Sequence, residues 1–332
     1  TGELANMIES RGLVVHSLSL NGSNILSKAV RLFRLLRNRR FDVLHTHLIH
    51  ATLLGRIVGW LARVPVIIST EHNTSNWQNR NVPALMAYRT TERFSRKTIA
   101  ISEAVRRCVM EIGKISSEKI EVLYNGVDLD ELDEDGGQAD VLRTELGISA
   151  SDPLIGTVGR MDKRKGYDHL IRAMIPVLRL HPSATLLLVG DGVERNSLTD
   201  LSVRLGLGDR IIFAGSQTDI RGYVRLMDVF VLPSLQEGLS ISLIEAMALQ
   251  RAVVASNVDG IPEVVSHGVD GVLVEPGNEE ALADALCALL NDKPRIRALG
   301  AAARQKVERQ FNIREAVTRL EGMYRNLARG TG

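Results

Sequence analysis

Short runs of Val, Ile and Leu alternate with longer helical patterns along this 332-residue chain, and this alternation most restricts its fold. Most runs are continuously apolar, as in parallel strands that are covered on both faces. Strand–helix alternation of this kind predicts parallel α/β sheets. The predicted strands are 13–18, 43–47, 66–70, 98–101, 120–123, 154–158, 184–189, 210–214, 229–232, 252–255 and 271–274.

The alternation is interrupted once, and the interruption predicts two domains. Residues 130–151 begin acidic and Gly-rich and carry one short helical pattern, which is typical of a linker. A chain of this length is also expected to hold two domains. We therefore predict a first α/β domain over 1–148 and a second over 149–312. The predicted helices include 24–39, 52–63, 167–180, 195–205 and 279–291.

Composition and charge are those of an ordinary globular protein. Hydrophobic residues make up 45% and charged residues 24%. The net charge of +2 is too small to indicate a nucleic-acid partner, and none is predicted. No window approaches the ~20 apolar residues that a membrane span requires.

One strand-to-helix turn concentrates positive charge. Gly159 and Gly166 enclose the sequence RMDKRK, which holds four cations, between the strand 154–158 and the helix from Tyr167. The helix N-terminus adds free N–H groups and a positive dipole. Arg160 can bind a phosphate bidentately, and Lys165 acts as a point charge. The turn therefore predicts a site for a diphosphate; the alternative is a solvated basic turn.

A second turn is rich in glycine. Gly190, Asp191 and Gly192 follow the strand 184–189, and glycines allow the backbone to approach a ligand closely. Many ordinary turns share this pattern.

Two glutamates flank an apolar segment near residue 240. Seven small or apolar residues separate Glu237 from Glu245, and a helix is predicted to start near Ile241. Ser242 and Glu245 also fit a capping box, which is the structural alternative for Glu245. Two carboxylates with free amides between them can hold a sugar, a phosphate and a ribose in line. A glycosidase pair needs both carboxylates at one bond, which this spacing fits poorly.

These motifs, taken together, resemble retaining nucleotide-sugar glycosyltransferases of the GT-B fold, most closely family four. Glu237 to Glu245 matches the E-x7-E pattern of that family. The resemblance covers nearly the whole chain. The other similar stretches are FDVLHTH (41–47), ISTEHN (68–73), YNGVD (124–128), VGRMDKRKG (158–166), VGDG (189–192), IIFAG (211–215), DVFVLPS (228–234) and DGIPEVV (259–265).

The resemblance implies a role for each matching residue. Arg160 and Lys165 would hold the donor diphosphate, Glu245 the ribose hydroxyls and Glu237 the donor sugar, which His72 would face from the other domain. Backbone amides of Gly238, Leu239 and Ser240 would contact sugar and phosphate. The implied catalytic set is Glu237, His72, Arg160 and Lys165, and the implied donor-binding set is Gly159, Arg160, Lys165, Gly190, Gly192, Glu237, Gly238, Leu239, Ser240 and Glu245.

The resemblance also implies an architecture and an activity. It implies two Rossmann-like domains that face a central cleft, with a C-terminal helix at about 313–330 packing back on the first domain. The reaction would move a hexosyl or N-acetylhexosaminyl group, with retention, from a UDP-, GDP- or ADP-sugar to a glycan or lipid-linked acceptor, as in cell-surface polysaccharide or glycolipid synthesis. No cofactor and no metal are expected. The alternatives are a nucleotide-sugar epimerase of the same fold and a non-catalytic sugar-nucleotide-binding subunit.

Two further segments carry alternatives. His45 and His47 point to one face of a strand, near His50 and His72, but no third-ligand spacing accompanies them. For His47, a structural role and a role at the acceptor site remain open.

Residues 28–40 carry six basic and no acidic side chains, with an apolar stripe through Val30, Phe33, Leu35 and Leu36. Such a helix suits anionic lipid, or is an ordinary surface helix, and the family suggests a cytoplasmic protein at the inner membrane face.

Two departures from the family are visible. Gln250 and Ala252 stand where the family usually has Gly and Pro, so the turn after the E-x7-E helix is expected to pack differently. The chain also begins in what resembles the region after the family's second strand, so N-terminal strands are expected to be missing from it.

Overall fold

The computed structural model describes residues 3–18, 24–72, 74, 82–134 and 139–330. Its chain divides into two compact units. The first comprises Thr1–Thr70, Val82–Thr98 and Tyr324–Gly332, and the second comprises Glu71–Asn81 and Ile99–Met323. Within the described residues, no helix is both long and apolar enough to cross a membrane.

The strands form two sheets. The first sheet has the order β1-β2-β3-β4, and the second has the order β10-β9-β8-β5-β6-β7. All pairings in the second sheet are parallel, and β1 pairs with β2 in parallel. The strands are β1 Val43–His47, β2 Val66–Glu71, β3 Lys97–Ala100, β4 Ile120–Val122, β5 Leu154–Val158, β6 Thr185–Val189, β7 Ile211–Gly215, β8 Val229–Leu232, β9 Ala252–Ser256 and β10 Val272–Val274.

Helices connect the strands, as parallel pairing requires. The helices are α1 Glu3–Ser10, α2 Ile25–Arg39, α3 Ile49–Leu61, α4 Val82–Glu92, α5 Glu103–Glu111, α6 Leu129–Asp133, α7 Ala139–Glu145, α8 Tyr167–Leu180, α9 Arg195–Arg204, α10 Arg221–Leu226, α11 Ile241–Ala248, α12 Ile261–Val264, α13 Glu279–Leu290, α14 Lys293–Gln310 and α15 Ile313–Arg329. Short 3₁₀ turns cover Ser117–Lys119, Lys163–Lys165 and Gly208–Arg210.

The first unit places α3 very close to its strands. A Cβ at Gly55 would lie 2.4 Å from Thr46 Cγ2, and one at Gly59 would lie 2.7 Å from Leu44 Cδ2. The fully buried Arg56 of the same helix donates to Ser69 Oγ at 2.9 Å and Thr98 Oγ1 at 3.2 Å. Close glycine contacts and one buried guanidinium therefore fix α3 on the sheet.

The second unit has an aliphatic core. Every residue of β5, β6, β8 and β9 is buried, as expected for central parallel strands covered on both faces. α8 and α13 pack together beside this sheet, with Leu170, Met174 and Leu286 in the same cluster.

Ten of the eleven predicted strands form, each within one residue of its predicted ends, but the strand predicted over 13–18 is wrong. Those residues lie outside any strand, and Leu13 and Val14 are 62% and 74% exposed. A run of apolar residues forms a strand only where another strand accepts its hydrogen bonds, and among the described residues nothing pairs with this one.

The predicted linker 130–151 holds two short helices in its described residues. α6 and α7 lie in it, and Arg225 donates to Leu132 O at 2.6 Å, which ties α6 to α10. The predicted domain boundary at 148/149 and the central cleft stay predictions.

Candidate functional site

The basic turn after β5 forms a loop, a short 3₁₀ helix and then α8. Gly159 has φ +155°, and its N–H donates to Val189 O at 3.0 Å. Asp162 caps the 3₁₀ turn by accepting from Arg164 N–H at 3.0 Å. Gly166, at φ +63°, then starts α8 in a conformation that favours glycine. The predicted strand–turn–helix arrangement of this segment is confirmed.

The loop Gly190–Gly192 packs on this turn, backbone against backbone. A Cβ at Gly190 would lie 2.1 Å from Gly159 O, and a Cβ at Gly192 would lie 2.3 Å from Met161 O. Met161 N–H also donates to Asp191 O at 2.9 Å. The described contacts show that these glycines admit the neighbouring loop, and the ligand that the sequence predicts beside them stays a prediction.

The cations of the basic turn have different surroundings. Asp162 binds Arg164, with Nη2 and Oδ2 2.9 Å apart. Lys165 is largely buried, and its Nζ lies 2.5 Å from Glu237 Oε2. Arg160 is exposed, and no described residue accepts a hydrogen bond from its guanidinium. Arg160 is therefore available to an anion, and Lys165 is held at the site by a carboxylate.

The segment after β8 carries Glu237 to this turn. Leu235 N–H donates to Arg164 O at 2.7 Å. A Cβ at Gly166 would lie 2.2 Å from Pro233 O, so the two loops touch through their backbones. Loop docking of this kind explains how two predicted site residues, Lys165 and Glu237, come together although 72 positions separate them in the chain.

Asp259 holds the Glu237 loop in place. No sequence pattern singled out this side chain. Its Oδ2 accepts from Glu237 N–H at 2.9 Å and from Thr74 Oγ1 at 2.7 Å. The next residue, Gly260, approaches so closely that a Cβ there would lie 2.0 Å from Gly238 O. The only sequence signal was the stretch DGIPEVV, which pointed to the region and to no particular side chain.

The backbone between the two glutamates offers unpaired donors. Gly238, Leu239 and Ser240 are buried, and within the described part of the chain no acceptor is found for their backbone N–H groups. Buried backbone N–H groups are almost always paired in native structures. Three consecutive unpaired N–H groups therefore indicate a place for an external acceptor.

α11 begins as predicted at Ile241, but its cap differs. Ser240 is the N-cap and accepts from Leu243 N–H at 3.4 Å. The capping box predicted as the alternative for Ser242 and Glu245 is therefore wrong. A capping glutamate bonds back to the N-cap N–H, and Glu245 lies beyond that position.

Glu245 carries an unpaired and perturbed carboxyl. Its pKa is raised to about 7, chiefly by burial and secondly by the like charge of Glu131. Among the described residues, no side chain or backbone N–H donates to it. A half-buried carboxyl without a donor suits a ligand hydroxyl, since hydroxyls are both donors and neutral.

His72 follows β2 on the loop that reaches Asp259. Its side chain is half-buried, and Thr74, two residues later, makes the bond to Asp259 described above. Asn73, which completes the ISTEHN stretch, lies outside the described residues. Asp259 therefore binds both Thr74, two residues after His72, and the backbone of Glu237.

The histidines of β1 lie side by side. The rings of His45 and His47 are 4.3 Å apart, as the strand pattern predicted. His45 Nδ1 lies 2.5 Å from Tyr324 Oη, and Nε2 lies 2.6 Å from Thr70 Oγ1. Both ring nitrogens of His45 therefore have protein partners, and across the described ranges no group of three or more His, Cys, Asp or Glu residues could hold a metal ion.

The turn after α11 contains Gln250, at the position where the resemblance implies glycine. Gln250 adopts the left-handed conformation, with φ +58°. Its N–H donates to Met247 O at 3.0 Å. That this turn packs differently from the family's stays a prediction.

Each half of the chain matches a known family of glycosyltransferases. A family model described as "Glycosyltransferase Family 4" matches residues 2–131, and one described as "Glycosyl transferases group 1" matches residues 152–292. The chain is 27% identical to "UDP-Gal:alpha-D-GlcNAc-diphosphoundecaprenol alpha-1,3-galactosyltransferase" of Escherichia coli, over 98% of this chain and 86% of the relative. It is 28% identical to "N-acetyl-alpha-D-glucosaminyl L-malate synthase" of Bacillus anthracis, over 92% of this chain and 80% of the relative.

The fold matches solved structures as well. A crystal structure of Anabaena HepE in complex with UDP-glucose superposes with a TM-score of 0.89, at 23% identity, over 98% of this chain and 89% of that one. This likeness agrees with the two sheets of parallel α/β type described above. Matched by these models along its two halves, the chain is a family-four-like glycosyltransferase of the GT-B fold.

Proposed function

We propose that this glycosyltransferase moves a hexosyl or N-acetylhexosaminyl group, with retention, from a nucleotide diphosphate-sugar to a glycan or lipid-linked acceptor. The observation that carries the proposal is the meeting of Lys165, Glu237 and three unpaired backbone N–H groups at one end of α11. The E. coli relative is named for a UDP-Gal donor and a diphosphoundecaprenol-linked acceptor, and the HepE structure holds UDP-glucose. These names support the same class of substrates here.

The diphosphate is the part of the donor that the described groups suit best. Among the described residues, Arg160 has no hydrogen-bond or ion-pair partner. Lys165 can exchange its ion pair with Glu237 for a bond to a phosphate oxygen. The N–H groups of Gly238, Leu239 and Ser240 add neutral donors at a helix N-terminus. As the bond between the anomeric carbon and the diphosphate breaks, the leaving oxygen gains negative charge, which fixed donors and cations stabilise. We propose no metal, because Arg160 and Lys165 supply the positive charge.

The two carboxylates are assigned to hydroxyl groups. Glu245 is proposed to accept from the ribose hydroxyls, and Glu237 from hydroxyls of the donor sugar once Lys165 turns to the phosphate. His72 is proposed to face that sugar from the loop that Thr74 ties to Asp259. In a retaining transfer the acceptor oxygen bonds the anomeric carbon on the face that the diphosphate leaves. Gly159, Gly190 and Gly192 are proposed to shape the turn that receives the diphosphate.

The basic helix α2 is proposed to contact anionic lipid, which would place a cytoplasmic enzyme at the inner membrane face, next to lipid-linked acceptors. The predicted apolar stripe is divided: Leu36 is buried, whereas Val30 and Phe33 are 39% and 36% exposed. The exposed pair lies on the arginine-bearing face, as in helices that bind membrane surfaces.

The experiment is a transfer assay with product analysis. The chain is incubated with UDP-, GDP- or ADP-sugars and a lipid-linked acceptor, and the anomeric configuration of the product is read by NMR. We expect an acceptor-dependent product with the configuration of the donor, and loss of transfer in Glu237→Gln. An epimerised donor formed without acceptor would establish the epimerase alternative, and binding without turnover the non-catalytic one. An inverted product would contradict retention.

A further inference from the structure

A pocket of about 400 Å³ lies in the first unit, at the amino ends of β1 and β2. The final turn of α2, with Arg37, and the turn into β1 line one part of it. Arg63 and the turn that leads from α3 into β2 line another. Its volume lies within the range of roughly 300–1,000 Å³ that small-molecule sites usually have. None of the residues proposed to bind the donor lines it.

The pocket is strongly positive. Its charged lining residues are Arg37, Arg40, Arg63 and Asp42. Within the ranges that the structure describes, none of the three arginines forms an ion pair or donates a side-chain hydrogen bond. Guanidinium groups bind phosphates through two parallel N–H···O bonds, and a bound anion also removes the repulsion among like charges.

The backbone gives an independent indication. Arg40 and Arg63 both adopt left-handed conformations, with φ 52° and 60°. Each follows a helix, and each N–H returns to the preceding turn: Arg40 to Leu36 O at 3.2 Å and Arg63 to Trp60 O at 3.0 Å. Glycine is the favoured residue at such positions, because a Cβ is strained there. The chain thus carries an arginine at two strained turns that line one pocket, and such strain is typical of functional sites.

We propose that this pocket binds a phosphate-bearing anion, with Arg37, Arg40 and Arg63 as its ligands. The anion is either a free phosphate compound or the phosphate of a lipid headgroup, and the chemistry of recognition is the same in both. The inference does not depend on the proposed donor site, since the residues of the two sites differ.

The test uses the full chain in an Arg160→Ala/Lys165→Ala background, so that both cations proposed to bind a diphosphate at the donor site are absent. Inorganic pyrophosphate is titrated by calorimetry into this background and into the same background with Arg40→Gly/Arg63→Gly. Glycine suits both left-handed turns, so the fold is expected to be retained, which thermal unfolding checks. The matched control is Arg297→Ala, an exposed arginine of α14 that lies outside α2 and does not line the pocket.

We expect pyrophosphate affinity to fall by about tenfold or more in Arg40→Gly/Arg63→Gly and to stay unchanged in Arg297→Ala, since charged hydrogen bonds are lost only in the former. A second arm measures co-sedimentation with phosphatidylglycerol vesicles and with phosphatidylcholine vesicles. Binding to phosphatidylglycerol that pyrophosphate displaces, and that the double variant loses, identifies a lipid headgroup. Pyrophosphate binding without such displacement identifies a free phosphate compound. Equal behaviour of the double variant and Arg297→Ala in both arms overturns the proposal.

Discussion

Replacing Glu245 by glutamine should stabilise the unliganded protein in a pH-dependent way. The pKa of Glu245 is raised from 4.5 to about 7 by burial and by the charge of Glu131. At roughly 1.4 kcal/mol for each unit of pKa, this gap corresponds to about 3 kcal/mol, which is an upper bound. The folded state holds the proton more tightly than the unfolded state, so stability is lost as the pH rises from 4.5 through about 7. Glutamine has no proton to lose and does not show this loss.

The assay is urea unfolding of the two proteins, followed by circular dichroism at about pH 4.5, about pH 6 and about pH 8.5. The free energy of unfolding of Glu245→Gln, relative to the wild type, should rise by about 2–3 kcal/mol between the lowest and the highest pH. The free energy of unfolding of Glu131→Gln, relative to the wild type, should also rise with pH but by less, because this variant removes only the charge that repels Glu245. The exposed Glu280→Gln is the matched control and should give none. A difference between Glu245→Gln and the wild type that does not change with pH would show that burial does not raise the pKa of Glu245.

Three further perturbations follow from the backbone and the buried polar groups. Gln250→Gly should raise the free energy of unfolding by up to about 1 kcal/mol in urea, because glycine relieves the left-handed strain; an unchanged midpoint would contradict this. Arg56→Ala should lower the free energy of unfolding by about 3 kcal/mol or more in the same measurement, because it leaves a buried cavity and unpaired hydroxyls. A decrease under about 1 kcal/mol would mean that the hydrogen bonds of Arg56 contribute little to stability. Gly260→Ala should abolish nucleotide binding, measured by calorimetry, because its Cβ would lie 2.0 Å from Gly238 O; wild-type affinity would show that the loop can move without effect.

The sheets could be predicted from sequence because their strands are continuous apolar runs. Such runs are typical of parallel strands that helices cover on both faces. The segment 13–18 (LVVHSL) begins with three apolar residues and forms no strand, since pairing depends on a neighbour that a local pattern does not reveal. The four-residue helix α12, which begins at Ile261, was too short to give a periodic signal.

The candidate site could be predicted in part. The sequence singled out Lys165 and Glu237 separately, each for its own turn, and the structure brings their charged atoms to 2.5 Å. It did not predict that the two would pair, because the distance between loops depends on the packing of β5 beside β8. Asp259 was missed for the same reason: its carboxylate acts on a backbone N–H, which leaves no complementary residue type in the sequence.

The glycines show what a local motif does not reveal. Gly190 and Gly192 were predicted to admit a ligand, which stays a prediction, and the structure adds that both lie against the backbone of Gly159 and Met161. Gln250 adopts a left-handed conformation although it is not a glycine.

The central claim is that Lys165 and Glu245 belong to one nucleotide diphosphate site. It is tested most directly by isothermal titration of UDP, GDP and ADP into the wild type, Lys165→Ala, Glu245→Gln and the control Arg34→Ala. The account predicts that the wild type and Arg34→Ala bind one of these nucleotides with equal affinity, and that the other two variants each lose about tenfold or more. Wild-type affinity in Lys165→Ala or Glu245→Gln would contradict it, as would a failure of all three nucleotides to bind.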